Sequence, residues 1–345
     1  MKRRNLMKTV AAAAFALGLA PATLSAQEVT LRLHQFLPPP APVPAHILKP
    51  WAAKVEERAG GALKIEHYDA MSLGGRPNDL IDQAIDGTAD IIMTVVGYTP
   101  GRFPKTEVFE LPFMMTNPVA TAKAFWQLTE AELQNEEYKD VKILGAWVHG
   151  PGMIHSKEPI ASLEDMAGKK LRGPTRVITD MLNELGATPV GMPLPAIPES
   201  LSKGVIDATV IPWEVTTAVR VSELVGNHTE FGGPESLYTA TIILAMNKER
   251  YESLPENIRA AIDAESGEVL SAFAAQVMWD YDAPARQIAV DRGNNIVTLD
   301  EAEVARWKEK AQPVIDRWVA DMETKGIDGR ALIQQAKDLI VKNGG

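Results

Sequence analysis

The stretch MAGKKLRGPTRVITDMLNELGATPVGMPLPAIPESLSKGVIDATVIPWE, Met166 to Glu214, decides the fold. A short strand, Lys170-Leu171-Arg172, stops at Gly173-Pro174. In the next segment Ile178, Met181, Leu182 and Leu185 recur at helical spacing, and Gly186 stands where a left-handed residue closes a helix. An apolar run around Val190 follows. A second helix turns Ile197, Leu201 and Val205 inward, and a last strand runs Ala208 to Ile211 before Pro212-Trp213-Glu214. This strand–helix–strand–helix–strand order predicts an α/β fold with parallel strands. Ligands bind such sheets just beyond the carboxyl ends of the strands, where Arg172 and Trp213 both fall.

Working outward, Val29 to Leu33 alternates and reads as an edge or first strand, ending at His34-Gln35-Phe36. Pro38 to Pro44 is a loop, Ala45 to Ala59 a helix, and Leu63 to Tyr68 a second strand. A turn, Leu73 to Pro77, precedes the helix Asn78 to Asp86. Ala89 to Val96 reads as a buried strand, with Tyr98 and Arg102 in the loop after it. Phe109 to Phe113 is extended, Pro118 to Leu128 helical, and Lys142 to Val148 a strand. The chain first crosses between lobes at His149-Gly150-Pro151-Gly152 and returns along an apolar strand, Tyr238 to Met246. Ile258 to Ile288 reads as one long helix broken near Asp282-Ala283-Pro284. Ala302 to Thr324 is another, with Trp307, Val314, Ile315 and Trp318 on one side. The expected organisation is lobe I over 27–149, lobe II over 150–236, a return strand over 237–254 and helices spanning both lobes over 255–345.

The chain has 345 residues, enough for two lobes with cores of their own. Residues 1–26 read as a cleaved signal peptide of a Gram-negative periplasmic protein. Lys2, Arg3, Arg4 and Lys8 precede an apolar Val10–Ala20, and Leu24-Ser25-Ala26 suits cleavage. Losing those four positive charges takes the formal net charge from −10 to −14. So acidic a chain is a poor partner for nucleic acid or anionic lipid. There is no cysteine, which excludes disulfides and thiolate chemistry.

Catalytic signatures are missing: no G-x-S-x-G, no H-E-x-x-H, no P-loop and no G-x-G-x-x-G. The six histidines, at 34, 46, 67, 149, 155 and 228, lack metal-ligand spacing. The expectation is a non-catalytic monomer with no cofactor and no metal.

Several runs, in order, resemble one family. They are AAKVEERAGGALKIEHYDAMSLGG (52–75), AIDGTADIIMTVVGYTPGRFPKTEVFELPF (84–113), SLEDMAGKKLRGPT (162–175), ELGATPVGMP (184–193), LSKGVIDATVIPWE (201–214) and ATIILAMNKERYESLPENIRAAI (240–262). The resemblance is to DctP-type periplasmic receptors of tripartite ATP-independent periplasmic (TRAP) transporters, and it covers nearly all of the chain after the signal segment. It implies two α/β lobes with crossover strands, a long helix spanning both, and a ligand between them. It also implies an organic acid as ligand, small and large integral-membrane subunits as partners, and Arg172 as the grip on a ligand carboxylate. A guanidinium suits that role because its planar fork pairs bidentately and stays charged when desolvated. The alternative for Arg172 is a structural ion pair.

The departures narrow the ligand. Many family members carry a second arginine where this chain reads Gly152-Met153-Ile154-His155-Ser156. Ile211 and Leu194 stand where sugar-acid receptors place an asparagine and an aromatic. The other candidates for the cleft are Trp213, Glu214, Thr175, Phe36, His34, Tyr98, His149, Met153 and Tyr238. Thr175 either adds a hydroxyl beside Arg172 or caps the following helix. Glu214, Tyr98 and His149 are the candidate partners for a ligand hydroxyl or keto group. One matched arginine among apolar walls predicts a monocarboxylate with an apolar or aromatic body. The alternatives are a C4-dicarboxylate or sugar acid, the former recruiting Arg76, Arg102 or Arg176, and an exported enzyme acting on a carboxylate.

Overall fold

The computed structural model describes residues 29–345, so the signal segment lies outside the described residues. Eleven strands form two sheets. In chain order they are β1 (Val29–Gln35), β2 (Leu63–Tyr68), β3 (Ile91–Val95), β4 (Val141–Val148), β5 (Met153–Ser156), β6 (Lys170–Gly173), β7 (Thr188–Gly191), β8 (Ala208–Ile211), β9 (Asn227–Phe231), β10 (Thr241–Asn247) and β11 (Asn295–Leu299). One sheet has the order β2-β1-β3-β10-β4, the other β11-β9-β5-β8-β6-β7.

The Met166–Glu214 unit folds as its pattern predicts. β6 pairs in parallel with both β7 and β8. The helix Arg176–Glu184 buries Val177, Ile178, Met181 and Leu182, and Gly186 takes φ +98° just past it. Val205, expected inward, is 48% exposed, because the second helix ends at Ser202. β1 is the first strand but not an edge: it lies between β2 and β3, parallel to both. β3 is buried along its whole length, as a central strand covered on both faces must be.

The chain passes between sheets twice. Only residues 149–152 separate β4 from β5, and residues 232–240 return it from β9 to β10. β10 then pairs antiparallel with β3 on one side and β4 on the other. A helix, Glu268–Asp291, makes the third link. Near its start Gly267 donates to the carbonyl of Leu144 in β4. Near its end Ala285 and Ala289 pack on Trp213, and Arg286 pairs with Glu230 of β9. The fold is two-lobed, with crossover strands and a helix spanning both lobes.

Two further expectations are corrected. The long C-terminal helix does not break at Pro284, which sits exposed inside the helix. The break comes earlier, at Gly267 with φ +80°, between the helices Glu256–Ala264 and Glu268–Asp291. Phe109–Phe113 is not simply extended, since a 3-10 turn covers Thr106–Glu110. The strands β9 and β11 and the final helix Gly329–Lys342 have no counterpart in the sequence reading.

Candidate ligand cleft

Between the sheets lies a cavity at the carboxyl ends of β1, β3, β6 and β8. Phe36, Tyr98, His149, Arg172, Leu194, Ile211, Glu214 and Tyr238 line it, with Met93, Val95 and Met278 among its apolar walls. Met278 comes from the spanning helix, so all parts of the fold converge here.

Arg172 is the penultimate residue of β6 and is 1% exposed. Its Nε donates to the carbonyl of Met192 at 2.8 Å and Nη1 to that of Val210 at 3.1 Å. Nη2 is buried without a partner. No carboxylate of the described residues forms an ion pair with it, so the alternative of a structural ion pair does not hold. Burial pulls its pKa down, while Tyr98 and Tyr238 nearby favour the cation. Two carbonyls aim the fork and leave one face of it for an acceptor.

The tyrosines flank that face. Tyr98 accepts a hydrogen bond from the backbone N–H of Leu194 at 3.0 Å, which leaves its own proton free. Burial raises the pKa of both phenols, so both remain donors. The ring of Tyr238 occupies the space beside Gly152, where an added Cβ would lie 2.0 Å from its Cε1. A side chain at Gly152, where the resemblance implies an arginine in many family members, has no room here, because an aromatic ring fills its place.

His149 lines the cavity but has no capacity left for a ligand. Nδ1 donates to the carbonyl of Gly150 at 2.6 Å, and Nε2 accepts from the N–H of Ala240 at 3.0 Å. Burial lowers its pKa to about 4, which keeps the ring neutral. Glu214 is 2% exposed, with Oε2 buried and unpartnered. Burial, then the neighbouring Asp282, raises its pKa well above the usual carboxylate range.

Four sequence candidates lie outside the cavity. Trp213 turns away from it, between His155 and His228 with ring centroids 4.9 and 4.8 Å off, and its indole N–H donates to Glu230 at 2.9 Å. Met153 packs on that same cluster. His34 bonds Gln83 at 2.8 Å and accepts from the N–H of Leu73, on the other side of the sheet end. Thr175 stands at the start of the Arg176–Glu184 helix without capping it, and its methyl group rests where a side chain on Gly97 would be.

The alternative arginines are engaged elsewhere. Arg76 pairs with Asp79 at 3.3 Å and Arg102 with Asp82 at 2.7 Å. Arg176 pairs with Glu107, and with Asp321 at 3.1 Å. None lines the cavity. Sequence reasoning missed Glu110, which is 1% exposed and stands next to Gly97. Its Oε1 accepts from the N–H and hydroxyl of Thr241 at 2.9 and 2.7 Å, and burial raises its pKa to about 7. A lone acid in an apolar run was its one signal.

With this geometry in view, comparison with known proteins gives a consistent result. The model of bacterial extracellular solute-binding protein, family 7 (DctP), matches residues 35–321. A TRAP solute-binding protein from Rhodoferax ferrireducens T118, solved in complex with copurified benzoate, is 48% identical. The match covers 91% of this chain and 98% of that one, with a TM-score of 0.89. A marine metagenome TRAP solute-binding protein specific for aromatic acid ligands, solved with 3-hydroxybenzoate, is 44% identical over 92% of this chain and 100% of that one, with a TM-score of 0.90. The C4-dicarboxylate-binding periplasmic protein DctP of Rhodobacter capsulatus is 25% identical over 92% of this chain and 94% of its own length.

Proposed function

This chain belongs to the bacterial extracellular solute-binding proteins of family 7, TRAP type, and on that premise we propose that it captures an aromatic monocarboxylate in the periplasm and delivers it to a membrane symporter. The observation that carries this reading is the buried Arg172, with Nη2 unpartnered at the edge of a largely apolar cavity. A buried cation without a counterion is unfavourable until an anion arrives. One carboxylate satisfies it, and the phenols of Tyr98 and Tyr238 complete the anion's hydrogen bonds. Phe36, Leu194 and Ile211 then hold the ring.

A second carboxylate would meet Glu214 and apolar walls, with no cation to balance it. Burying that charge unpaired costs several kcal/mol. The benzoate and 3-hydroxybenzoate held by relatives 48% and 44% identical support the aromatic reading. In this reading the protein is a non-catalytic monomer, exported by its signal segment. Its partners are the small and large membrane subunits, and lobes 27–149 and 150–236 act as the moving parts.

The test is a calorimetric titration of benzoate, phenylacetate and mandelate beside succinate, malate and fumarate. The aromatic acids bind saturably without product, and the dicarboxylates bind at least about a hundredfold more weakly. Tight binding of the dicarboxylates alone defeats the proposal.

A further inference from the structure

The cavity has two polar ends. Arg172, with Tyr98 and Tyr238, makes one. Glu214 makes the other, and Tyr238 stands within electrostatic reach of both. Glu214 is held in place from outside the cavity. Its backbone N–H donates to Asp282 Oδ1 on the spanning helix at 2.8 Å. Asp282 in turn lies against Gly150, where an added Cβ would meet its Oδ2 at 2.4 Å. No described residue hydrogen-bonds to the Glu214 carboxyl, and no cation stands by it. Of the other polar groups, His149 has both nitrogens bonded, and Tyr98 belongs to the arginine end, where its oxygen accepts from Leu194.

A carboxyl group buried this way is out of place in an apolar wall. Leucine or methionine would fill the volume without the cost of desolvating two oxygens. It is explained if the ligand supplies the missing partner. We infer that Glu214 is a specificity residue whose neutral carboxyl exchanges hydrogen bonds with a hydroxyl on the far side of the ligand ring, so that the preferred ligands are hydroxylated aromatic acids. This rests on the aromatic monocarboxylate reading and deepens it. A neutral acid suits the task because it both donates and accepts, as a phenol does. Burial and the nearby Asp282 favour that protonation state.

The experiment compares benzoate with its 3- and 4-hydroxy forms, and phenylacetate with its 3- and 4-hydroxy forms, by calorimetry on the full chain. The variants are Glu214→Met and Glu214→Gln, each first checked by thermal melting. In the parent, at least one hydroxylated acid binds about tenfold or more tighter than its unsubstituted counterpart. Glu214→Met brings that ratio to within about threefold of unity, whereas Glu214→Gln, which keeps a donor and an acceptor, preserves part of it. A packing role for Glu214 would lower both affinities together and leave the ratio unchanged in Glu214→Met, which overturns the inference. A parent that binds the unsubstituted acids as tightly as every hydroxylated one overturns it without any variant, while the aromatic reading stands. If none of these acids binds the parent, the aromatic reading fails and this inference with it.

Discussion

At the scale of single residues, the place of Arg172 at a strand end facing the cavity was legible, because a strand end, a proline turn and a basic residue coincide in one short run. The direction of Trp213 was not legible. It follows β8 directly, but its ring turns away from the cleft to the spanning helix and the His155–His228 pair, a choice set by partners remote in sequence. His149 failed for a similar reason. Its ring faces the cavity, but the carbonyl of Gly150 and the N–H of Ala240 use both nitrogens. Arg172 itself supports a sharp prediction. Arg172→Lys keeps the charge but cannot reach the carbonyls of Met192 and Val210 while presenting a second N–H to a ligand. Both Arg172→Lys and Arg172→Ala are expected to lose about 2–5 kcal/mol of binding free energy, with a native circular-dichroism spectrum. Calorimetry with benzoate checks this, and a variant that binds as tightly as the parent rules the guanidinium out as the ligand's grip.

At the scale of elements, those with strong periodicity were found nearly to the residue. Pro118–Leu128 and Ala208–Ile211 are reproduced as read, because each presents an uninterrupted apolar pattern to the core. The misses lie where the pattern is weak. β9 and β11 pair with each other at one side of their sheet, and much of β11 is solvent-facing, so neither alternates cleanly. The proline rule misled at Pro284. Its ring costs the helix one backbone hydrogen bond, yet packing at both ends of Glu268–Asp291 holds the helix through it. That packing leaves an uncollected gain. Pro284 is exposed, so alanine there restores the bond at no loss of burial. Pro284→Ala is expected to stabilise the protein by about 1–3 kcal/mol in urea unfolding. An unchanged or lower midpoint would show that the helix is bent at Pro284 in a way the fold requires.

At the scale of the whole molecule, the cleft is closed. Arg172 and Tyr238 are each 1% exposed, so an acid reaches them only when the structure opens. Specific side-chain contacts join the lobes beside the cleft. Tyr98 accepts from Leu194, Gly97 admits the Thr175 methyl, and Arg176 reaches Glu107. The Arg176 side chain is 40% exposed, so solvent screens its end of the pair with the buried Glu107. Without an anion, closure would bury the Arg172 guanidinium with no counterion, which opposes it. The ligand reverses that balance, because its carboxylate pairs with Arg172 only when both lobes surround it. Differential affinity of this kind moves a two-state equilibrium toward the closed form. The short crossings at residues 149–152 and 232–240 are where we expect the hinge to turn. Small-angle scattering of the full mature chain should therefore give a smaller radius of gyration with saturating benzoate than without it. The Arg172→Ala protein should show no further compaction on addition of benzoate, since it has lost the group through which the ligand favours closure. Superimposable curves for the parent with and without ligand would mean that the acid enters by local opening at the cleft mouth, with the lobes fixed.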